Sequence, residues 1–491
     1  MSAAFDLRAA AHRAMVANGF APDVPAPVQA EVAKASDVAG ALTASTRDLR
    51  DLAWSSIDND SSKDLDQIEV ADRTGTGTGT GTGSSAVRVR VAIADVDATV
   101  PRGSATDQYA AANSTSVYTG VATFPMLPDR LSTQLTSLGQ SDERASVVIE
   151  FVVGTDGEVT SHDVYLARVR NQAKLAYGNV GAWFDGHGAL PAAATPAIQD
   201  QLRLQDTVAA LLRANRARRG ALTLETIEAQ SVMHGDQSVS VELVQKTRAS
   251  HLIEDFMIAA NVAMAQFLDE HGSPSIRRVV RTPERWDRIV ALAAALNETL
   301  PAVPSSAALQ GFLAKRQAAD PDHFPDLSLS VVKLIGPGEY ALHVPGAADA
   351  GHFGLATHDY THSTAPNRRF ADLVTQRLLK AVLSGAPVPY TNEELTTIAA
   401  HCTEREDAAR KVERQVRKEA AAVSMASHVG ETFDAIVTGV TPKGTFVRVI
   451  APPVEGRVMR GDHGLDVGDR VRATLLSTDP VRGFVDFGAQ R

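Results

Sequence analysis

Four aspartates lie within nine positions of one short stretch, Ser55–Glu69, which reads SSIDNDSSKDLDQIE. Asp64 and Asp66 are two residues apart, so their side chains share a face if the backbone is extended. Asp58 can join them by folding back over a serine-rich turn. Clustered carboxylates repel one another unless a cation neutralises them, and hard oxygen ligands favour Mg²⁺, Mn²⁺ or Ca²⁺ over zinc. The stretch therefore predicts a site for a hard divalent cation, with a solvated acidic turn or a structural calcium loop as the alternatives.

A second polar element, THSTAPNRRFAD, covers Thr361–Asp372. Its proline-containing loop should deliver Arg368 and Arg369 to the beginning of a helix. Arginine forks match phosphate oxygens, and a helix N-terminus adds positive potential. Alone, such a pair would be an ordinary surface feature. Together with an oxygen-ligand metal site it predicts phosphodiester hydrolysis, in which the metal lowers the pKa of the attacking water.

Composition limits the partners and the compartment. The 491-residue chain has a formal net charge of −10, which argues against a general basic coat for nucleic acid but permits a basic channel. Its one cysteine, Cys402, excludes an intramolecular disulfide and fits a reducing compartment. No window approaches the ~20 apolar residues of a membrane helix, and the beginning of the chain lacks the apolar core of a signal peptide. We therefore expect a cytoplasmic protein that does not engage a membrane. No obligate protein partner is evident, so a monomer is expected.

Periodicity divides the chain into three parts, 1–53, 54–429 and 430–491. The first part looks helical, with short helices expected near 28–34 and 46–52 besides one at the beginning of the chain. It forms either a simple helical cap or a helix–turn–helix-like module. The last part holds five strand-like runs separated by Gly, Pro and Asp, which predict a small β-barrel.

The central part begins β-rich and becomes mostly helical. Residues 86–94, AVRVRVAIA, alternate apolar and polar side chains as a half-buried strand does. The glycine–threonine tract at 74–83 predicts a flexible connection between two strands. Residues 250–271 are apolar nearly all round, which predicts a buried helix. Its polar exceptions, Glu254 and Asn261, are seven apart and share one face.

Five ordered segments resemble the RNase II (RNB) family of 3′→5′ exoribonucleases, and the resemblance covers about residues 50–491. One is the stretch Ser55–Glu69, which we call the acidic turn. The others are VAIADVDATVPRGSATD, TSVYTGVATFPMLPDRLS, IEDFMIAANVAMAQFL and HFGLATHDYTHSTAPNRRFADLVTQRLL. The final part, with GETFDAIVTGVTPKGTFVRV, resembles an S1-type OB barrel. The resemblance implies an α+β fold with a mixed α/β catalytic domain around a central RNA channel. It also implies processive hydrolysis of single-stranded RNA to nucleoside 5′-monophosphates.

Individual roles follow from the same resemblance. Asp58, Asp64 and Asp66 match the family's magnesium ligands, and Arg368 matches the arginine that binds the scissile phosphate. Tyr118 matches a tyrosine that stacks near the RNA 3′ end. The complete set of candidate RNA-binding residues is Tyr118, Leu224, Glu254, Arg369, Glu413, Phe433, Phe446 and Arg448. Among these, Glu413 matches a glutamate that supports the phosphate-binding arginine. A barrel-core location is the alternative for Phe433.

Four departures from the family pattern modify these expectations. Gln67 stands where the family usually has another aspartate, which removes one negative charge and weakens the case for a second metal. Asn367 and its neighbours differ from the family's SPIRR pattern. Leu224 stands where a base-stacking phenylalanine is common, a loss of roughly 1–3 kcal/mol. About 53 residues precede the acidic turn, too few for the family's two cold-shock barrels, so we expect a wider channel entrance and better tolerance of duplex RNA.

Two other functions stay open from the sequence. Gln67 suits a catalytically weakened RNA-binding regulator that keeps the fold, and the helical first part suits a DNA-processing phosphodiesterase. Retention of the three matching aspartates together with Arg368 favours an active exoribonuclease. Its expected cofactor is Mg²⁺, with Mn²⁺ as an alternative, and its expected partner is the single-stranded 3′ end of RNA.

Overall fold

The computed structural model describes residues 5–36, 46–74, 86–225, 228–234, 238–244, 246–321, 323–348 and 350–490. Its α-helices are α1 (Leu7–Ala17), α2 (Ala26–Lys34), α3 (Ala105–Asn113), α4 (Tyr177–Phe184), α5 (Pro196–Arg218), α6 (Arg248–Glu270), α7 (Trp286–Ala295), α8 (Ser306–Ala319), α9 (Phe324–Ile335), α10 (Phe370–Ser384) and α11 (Asn392–Met425). Its strands are β1 (Arg47–Asp48), β2 (Ser55–Asp58), β3 (Gln67–Arg73), β4 (Val87–Ala94), β5 (Val117–Tyr118), β6 (Thr123–Phe124), β7 (Glu143–Val153), β8 (Val159–Arg170), β9 (Ala173–Ala176), β10 (Glu228–His234), β11 (Ser238–Val244), β12 (Ser275–Val279), β13 (Glu339–His343), β14 (Thr432–Thr441), β15 (Gly444–Val449), β16 (Glu455–Arg460), β17 (Arg470–Asp479) and β18 (Phe484–Gln490). The glycine–threonine tract lies outside the described residues, apart from Thr74.

A mixed sheet of seven strands lies at the centre of the described part of the chain, in the order β1-β8-β7-β4-β3-β2-β9. Its middle strands are antiparallel, whereas the edge pairs β1–β8 and β2–β9 are parallel. Strand β4 confirms the strand predicted at 86–94, but its burial alternates only in its first half, because residues 91–94 are buried on both faces. Val89 and Val91 are fully buried, while Arg88 and Arg90 on the other face are half-buried.

Helix α6 packs against β7 and β8 and confirms the buried helix predicted at 250–271. It begins two residues earlier than predicted because Thr247 forms a capping box with Ser250, whose backbone N–H donates to Thr247 Oγ1 at 3.2 Å. Phe256 meets Phe151 of β7 edge to face, with 6.3 Å between ring centroids. Helices α4 and α5 also pack against α6.

The N-terminal part agrees only partly with the sequence prediction. Helices α1 and α2 form, and α2 buries Val28 and Val32 in the same core as the central sheet. The prediction of a helix at 46–52 is wrong. Arg47 begins strand β1 instead, which pairs in parallel with β8, and its guanidinium contacts Asp163 at 3.1 Å. Edge pairing with a distant strand outweighs the local periodicity there.

The C-terminal part confirms the predicted barrel. Its five strands close in the order β14-β15-β16-β18-β17 around a core that includes Val437, Val447 and Phe487. Arg448 on β15 reaches out of the barrel, and its Nη2 lies 3.3 Å from Asp326 Oδ1 of α9. This ion pair connects the barrel to the central part.

Helix α11 joins the parts of the molecule. It packs against α1, β13, the β10–β11 hairpin and the barrel strands β17 and β18. It begins at a capping box in which Thr391 N donates to Glu394 Oε2 at 2.7 Å and Glu394 N donates to Thr391 Oγ1 at 3.1 Å. None of the helices in the described ranges is both long enough and apolar enough to cross a membrane. The observed fold is the predicted α+β arrangement.

Candidate active site

Two strand ends bring the acidic residues together. Strand β2 ends at Asp58, Asp66 directly precedes β3, and Asp64 lies in the turn between them. Ser62 Oγ donates to Asp58 Oδ1 at 3.1 Å, so the serine-rich turn folds back as predicted. Asp66 is 3% exposed, and its Oδ1 accepts a hydrogen bond from Asn367 N at 3.0 Å.

These carboxyl groups lie in an environment that opposes negative charge. Burial raises the pKa of Asp66 to about 7, although the nearby Arg368 acts in the opposite direction. Burial also raises the pKa of Asp58, and the like charge of Asp64 adds to that effect. Arg368 Nε is 3.8 Å from Asp66 Oδ2. Asp64 and Arg368 therefore act on both Asp58 and Asp66 in opposite directions, and the three carboxyl groups outnumber this one arginine.

The segment Thr361–Asp372, which we call the arginine loop, gives its two neighbouring arginines different environments. Asp372, in the first turn of α10, accepts hydrogen bonds from Arg369 Nε at 2.9 Å and Arg369 Nη2 at 2.7 Å. It also accepts from Ala365 N at 2.7 Å. The Arg369 fork is thus occupied within the protein. The Arg368 side chain is 45% exposed and faces Asp66, so Arg368 is the arginine that can reach a phosphate.

Asn367, one of the residues that depart from the family's loop sequence, has two buried contacts. Its backbone N–H donates to Asp66, and its side-chain Oδ1 accepts from Thr136 Oγ1 at 2.6 Å. Asn367 is 1% exposed, so both contacts are shielded from water. The asparagine therefore fixes the arginine loop against the acidic turn.

Two backbone hydrogen bonds hold the segment before Tyr118 beside Arg368. Ser116 N donates to Arg368 O at 3.0 Å, and Phe370 N donates to Ser114 O at 2.9 Å. Strand β5 follows directly and ends at Tyr118. The segment before Tyr118 is therefore bonded to the loop that presents Arg368.

Tyr118 has an exposed ring and two anchored polar groups. The residue is 42% exposed, and its Oη lies 3.4 Å from Asp64 Oδ2. Its backbone N–H donates to Glu413 Oε1 of α11 at 3.1 Å. Tyr118, Glu413 and Arg368 also line a cavity of about 250 Å³. The structure thus brings together Asp58, Asp64, Asp66, Arg368, Tyr118 and Glu413.

Two other predicted residues of the central part have different surroundings. Leu224 is half-buried against a cluster formed by α7, α8 and α9, which includes Phe312. Glu254 is exposed on α6, and its Oε2 lies 3.2 Å from Lys246 Nζ. Asn261, seven residues further along, is buried and accepts from Ser363 N at 2.8 Å. Glu254 and Asn261 thus differ in exposure.

The three candidate RNA-binding residues of the barrel also have different surroundings. Phe433 is half-buried against the barrel core and meets His428 edge to face, with 6.2 Å between ring centroids. Phe446 is half-buried on β15. Arg448 is paired with Asp326 across the contact between the barrel and α9. Its guanidinium is therefore engaged within the protein.

Comparison with known families identifies the chain. The RNB domain matches residues 46–385, and the RNase II-type exonuclease C-terminal S1 domain matches residues 431–490. The chain belongs to the RNB family. Its RNB domain contains the acidic turn and the arginine loop, and its S1 domain is the C-terminal barrel. The predicted family membership is confirmed.

Relatives and solved structures agree with this assignment. The RNB chain is 31% identical to ribonuclease R of Thermotoga maritima, over 90% of this chain and 64% of that protein. It is 28% identical to ribonuclease R of Escherichia coli K12, over 84% and 51%. The chain thus spans about half to two thirds of the length of these curated relatives. Solved structures also share its fold. Mycoplasma genitalium RNase R in complex with double-stranded RNA matches with TM-score 0.86 and 24% identity, over 99% of this chain and 83% of that one. Yeast Ssd1, a pseudonuclease, matches with TM-score 0.66 and 18% identity, over 89% and 52%.

The residues of the RNB domain fit a hard divalent cation. Within the described ranges, no three acidic, histidine or cysteine side chains converge closely enough to enclose an ion by themselves. Mg²⁺ does not require this, because one or two carboxylates, waters and substrate phosphates usually complete its six ligands. Asp58, Asp64 and Asp66 offer such carboxylates with excess negative charge.

Strand β9 adds two residues to the site of this RNB domain that the sequence reasoning missed. Lys174 Nζ donates to the backbone oxygen of Ser62 at 2.6 Å and so holds the acidic turn. Tyr177 follows β9 directly. Its pKa is raised by burial, and the carboxyl groups of Asp58 and Glu69 add to the effect. Both residues reach the turn because β9 pairs in parallel with β2, and no local pattern signals that pairing.

Proposed function

We propose that this chain is a metal-dependent 3′→5′ exoribonuclease, which hydrolyses single-stranded RNA processively and releases nucleoside 5′-monophosphates. Its cofactor in this proposal is Mg²⁺, with Mn²⁺ as an alternative. One observation carries the proposal: the buried carboxyl of Asp66 lies beside the exposed guanidinium of Arg368, at the junction of the acidic turn and the arginine loop. The similarity to proteins named ribonuclease R supports it.

The protein groups divide the chemistry between them. Carboxylates of Asp58, Asp64 and Asp66, together with waters and substrate phosphates, would hold the ion. When bound, the ion would lower the pKa of the attacking water and polarise the phosphate. Arg368 binds the oxygens of the scissile phosphate and stabilises the charge that builds up there. The exposed ring of Tyr118 offers a face on which a base near the 3′ end can stack.

Other residues position these groups. Asn367 fixes the arginine loop to Asp66, and Arg369 fixes it to Asp372. Glu413 holds the backbone of Tyr118. In this proposal Arg369 and Glu413 therefore act on RNA through their neighbours.

The RNA path is proposed to run over both matched domains. Phe433 and Phe446 are the barrel's stacking candidates, while Arg448 is reassigned to joining the barrel to α9 because of its contact with Asp326. Leu224 and Glu254 remain predicted RNA contacts. The division at residues 53 and 429, the monomeric state and the cytoplasmic location also remain predictions.

Tolerance of duplex RNA is part of the proposal. The M. genitalium protein with the same fold has been seen with double-stranded RNA. The test is digestion of a duplex that carries a short 3′ overhang. Products that extend into the duplex are expected, and a stall several nucleotides before it would contradict this part of the proposal.

The main test compares variants of two aspartates in the same turn. Wild-type protein with Mg²⁺ should produce a ladder of shortened products from 5′-labelled poly(A). Asp66→Asn should lower the rate at least about 100-fold, because a buried cation ligand is lost. Asp60→Asn is the matched control: Asp60 is exposed, so its rate should stay close to that of wild type.

Three outcomes would contradict the proposal. Absence of a ladder from the wild type, with RNA still retarded on a native gel, would favour an RNA-binding regulator. Equal cleavage of a DNA oligomer would favour a DNA-processing phosphodiesterase. An Asp66→Asn protein as active as wild type would remove Asp66 from the mechanism.

A further inference from the structure

The middle of helix α11 carries a run of positive charge in a chain whose formal net charge is −10. Residues 410–418 read RKVERQVRK, which is five cations and one carboxylate. Arg410 and Arg417 share one face of the helix with Glu413, because they lie three residues before it and four residues after it. Arg417 is exposed and lies in no ion pair within the described ranges. The proposed mechanism uses neither of these two arginines.

This face of α11 borders the candidate active site. Glu413 Oε1 accepts a hydrogen bond from Tyr118 N at 3.1 Å. Arg410, one turn earlier, lines the same cavity of about 250 Å³ as Arg368. Burial raises the pKa of Glu413, and the positive charge of Arg417 opposes that effect. Spacing and electrostatics therefore agree that Arg417 lies on the active-site side of the helix.

Arg417 lies midway between the active site and the barrel. Glu413 is four residues before it, and Ala421, which packs into the barrel core, is four residues after it. At 1.5 Å per residue, each interval is about 6 Å along the helix axis. An RNA strand that runs from the barrel to Tyr118 along this face of α11 therefore passes Arg417.

Two other arginines of this region are engaged within the protein. Arg410 Nη1 lies 2.9 Å from Asp407 Oδ1, and Arg410 also pairs with Glu406. Arg448 of the barrel is paired with α9. Because no described residue engages Arg417, its guanidinium keeps its N–H donors for phosphate oxygens.

We propose that Arg417 binds a backbone phosphate of RNA upstream of the scissile bond, and so guides the strand from the barrel to Arg368. The inference rests on the proposed function, because it requires RNA whose 3′ end lies at Tyr118. A phosphate contact carries no base information, so this one is independent of RNA sequence. If Arg417 were only a solvated charge, its loss would affect RNA binding no more than the loss of another exposed cation of α11.

The salt dependence of RNA binding distinguishes these two possibilities. The Kd of the full chain for fluorescently labelled oligo(A) is measured by anisotropy in EDTA, which prevents metal-dependent hydrolysis. The KCl concentration is varied from about 50 to 200 mM. Each phosphate contact on a single strand contributes about 0.7 to the slope of log Kd against log salt. Arg417→Gln should therefore lower that slope by about 0.7 and weaken binding about 5-fold at the lowest salt.

Lys411→Gln is the matched control, because it removes the same charge from the same helix. Lys411 is exposed and lies two residues before Glu413, a rotation of about 200° that places it on the opposite face of α11. Its Kd should stay within about 2-fold of wild type, and its slope should not change. Arg417→Lys keeps the charge and should keep the slope, since a lysine at a phosphate displaces the same counterions.

Rates separate the role of Arg417 from that of Arg368. Arg417→Gln should raise KM for poly(A) about 5-fold and leave kcat within about 2-fold of wild type, since its contact is equally strong before and during hydrolysis. Circular dichroism checks folding, and no loss of structure is expected because Arg417 and Lys411 are exposed.

Three results would overturn the inference. Effects of Arg417→Gln on Kd and slope no larger than those of Lys411→Gln would do so and leave the proposed function standing. A fall in kcat as large as that expected for Arg368→Ala would also do so, because Arg417 would then act on the reacting phosphate. Wild-type protein that neither binds oligo(A) nor shortens poly(A) would contradict the proposed function as well.

Discussion

Strand β3 carries charge at both ends, and the two ends balance it differently. At the C-terminal end of β3, Asp72 lies beside Arg88 and Arg90 of β4 and Glu150 of β7. Arg88 Nε lies 3.2 Å from Glu150, Arg90 Nε lies 2.8 Å from it, and Arg90 also pairs with Asp72. Two cations and two anions thus meet on one face of the sheet. We refer to these four residues as the balanced cluster.

The beginning of β3 lacks this balance. Asp66 and Glu69 are buried there, and Asp58 and Asp64 are close by. The cations near them in the described ranges include the half-exposed Arg368 and Lys174, whose Nζ donates to the backbone of the acidic turn, so the acidic groups remain in excess. The fold can therefore pair buried charge when only stability is required. An excess of one sign on the same strand marks the end where a cation and a phosphate are expected, since perturbed acids concentrate at functional sites.

The largest effects should come from replacing each of the two adjacent arginines with alanine. Arg368→Ala should lower kcat/KM on poly(A) about 10²- to 10³-fold with little loss of stability, because an exposed phosphate ligand is removed. Arg369→Ala should instead lower the free energy of unfolding by about 3–5 kcal/mol, since Asp372 is left buried and unpaired. Initial rates and urea denaturation separate the two. A stability loss at Arg368 equal to that at Arg369 would contradict the assignment.

The pH dependence of stability tests the unbalanced end directly. The pKa of Asp66 rises from 3.8 to about 7 on folding, so the folded protein holds that proton more tightly. The stability that the proton contributes is complete below pH 3.8 and is lost as pH rises through 7. In EDTA, Asp66→Asn should therefore be more stable than wild type by up to about 4 kcal/mol at pH 8. The difference should disappear near pH 3.8.

Urea denaturation in EDTA from pH 4 to pH 8 provides this measurement. Excess Mg²⁺ should reduce the difference between the two proteins, since an ion stabilises the state that binds it. A constant difference across the pH range would show that Asp66 is not the group responsible.

The sequence predicted those elements whose local pattern and tertiary surroundings agree. The alternation in β4 and the apolar surface of α6 both describe what these segments pack against. The helix predicted at 46–52 failed because Arg47 pairs with a strand far along the chain. Local periodicity contains no information about that edge.

The candidate site shows the same division. Asp58, Asp66 and Arg368 lie in motifs, so the sequence was sufficient to select them. Tyr177 reaches the turn only through the parallel β2–β9 pair. The ion pair between Arg369 and Asp372, three residues later, is a local pattern from which the sequence could have predicted that Arg369 is engaged within the protein.

The smallest expected effect belongs to the balanced cluster. Asp72→Asn should lower the free energy of unfolding by about 1 kcal/mol or less, because the Asp72 side chain is 46% exposed and Glu150 remains beside both arginines. The loss should be smaller in 1 M salt, where the Debye length is about 3 Å and exposed charges are screened from each other. Activity on poly(A) and Mn²⁺ affinity should equal those of wild type. A tenfold loss of either would mean that the two ends of β3 are coupled, and charge balance could no longer explain why one end is the site.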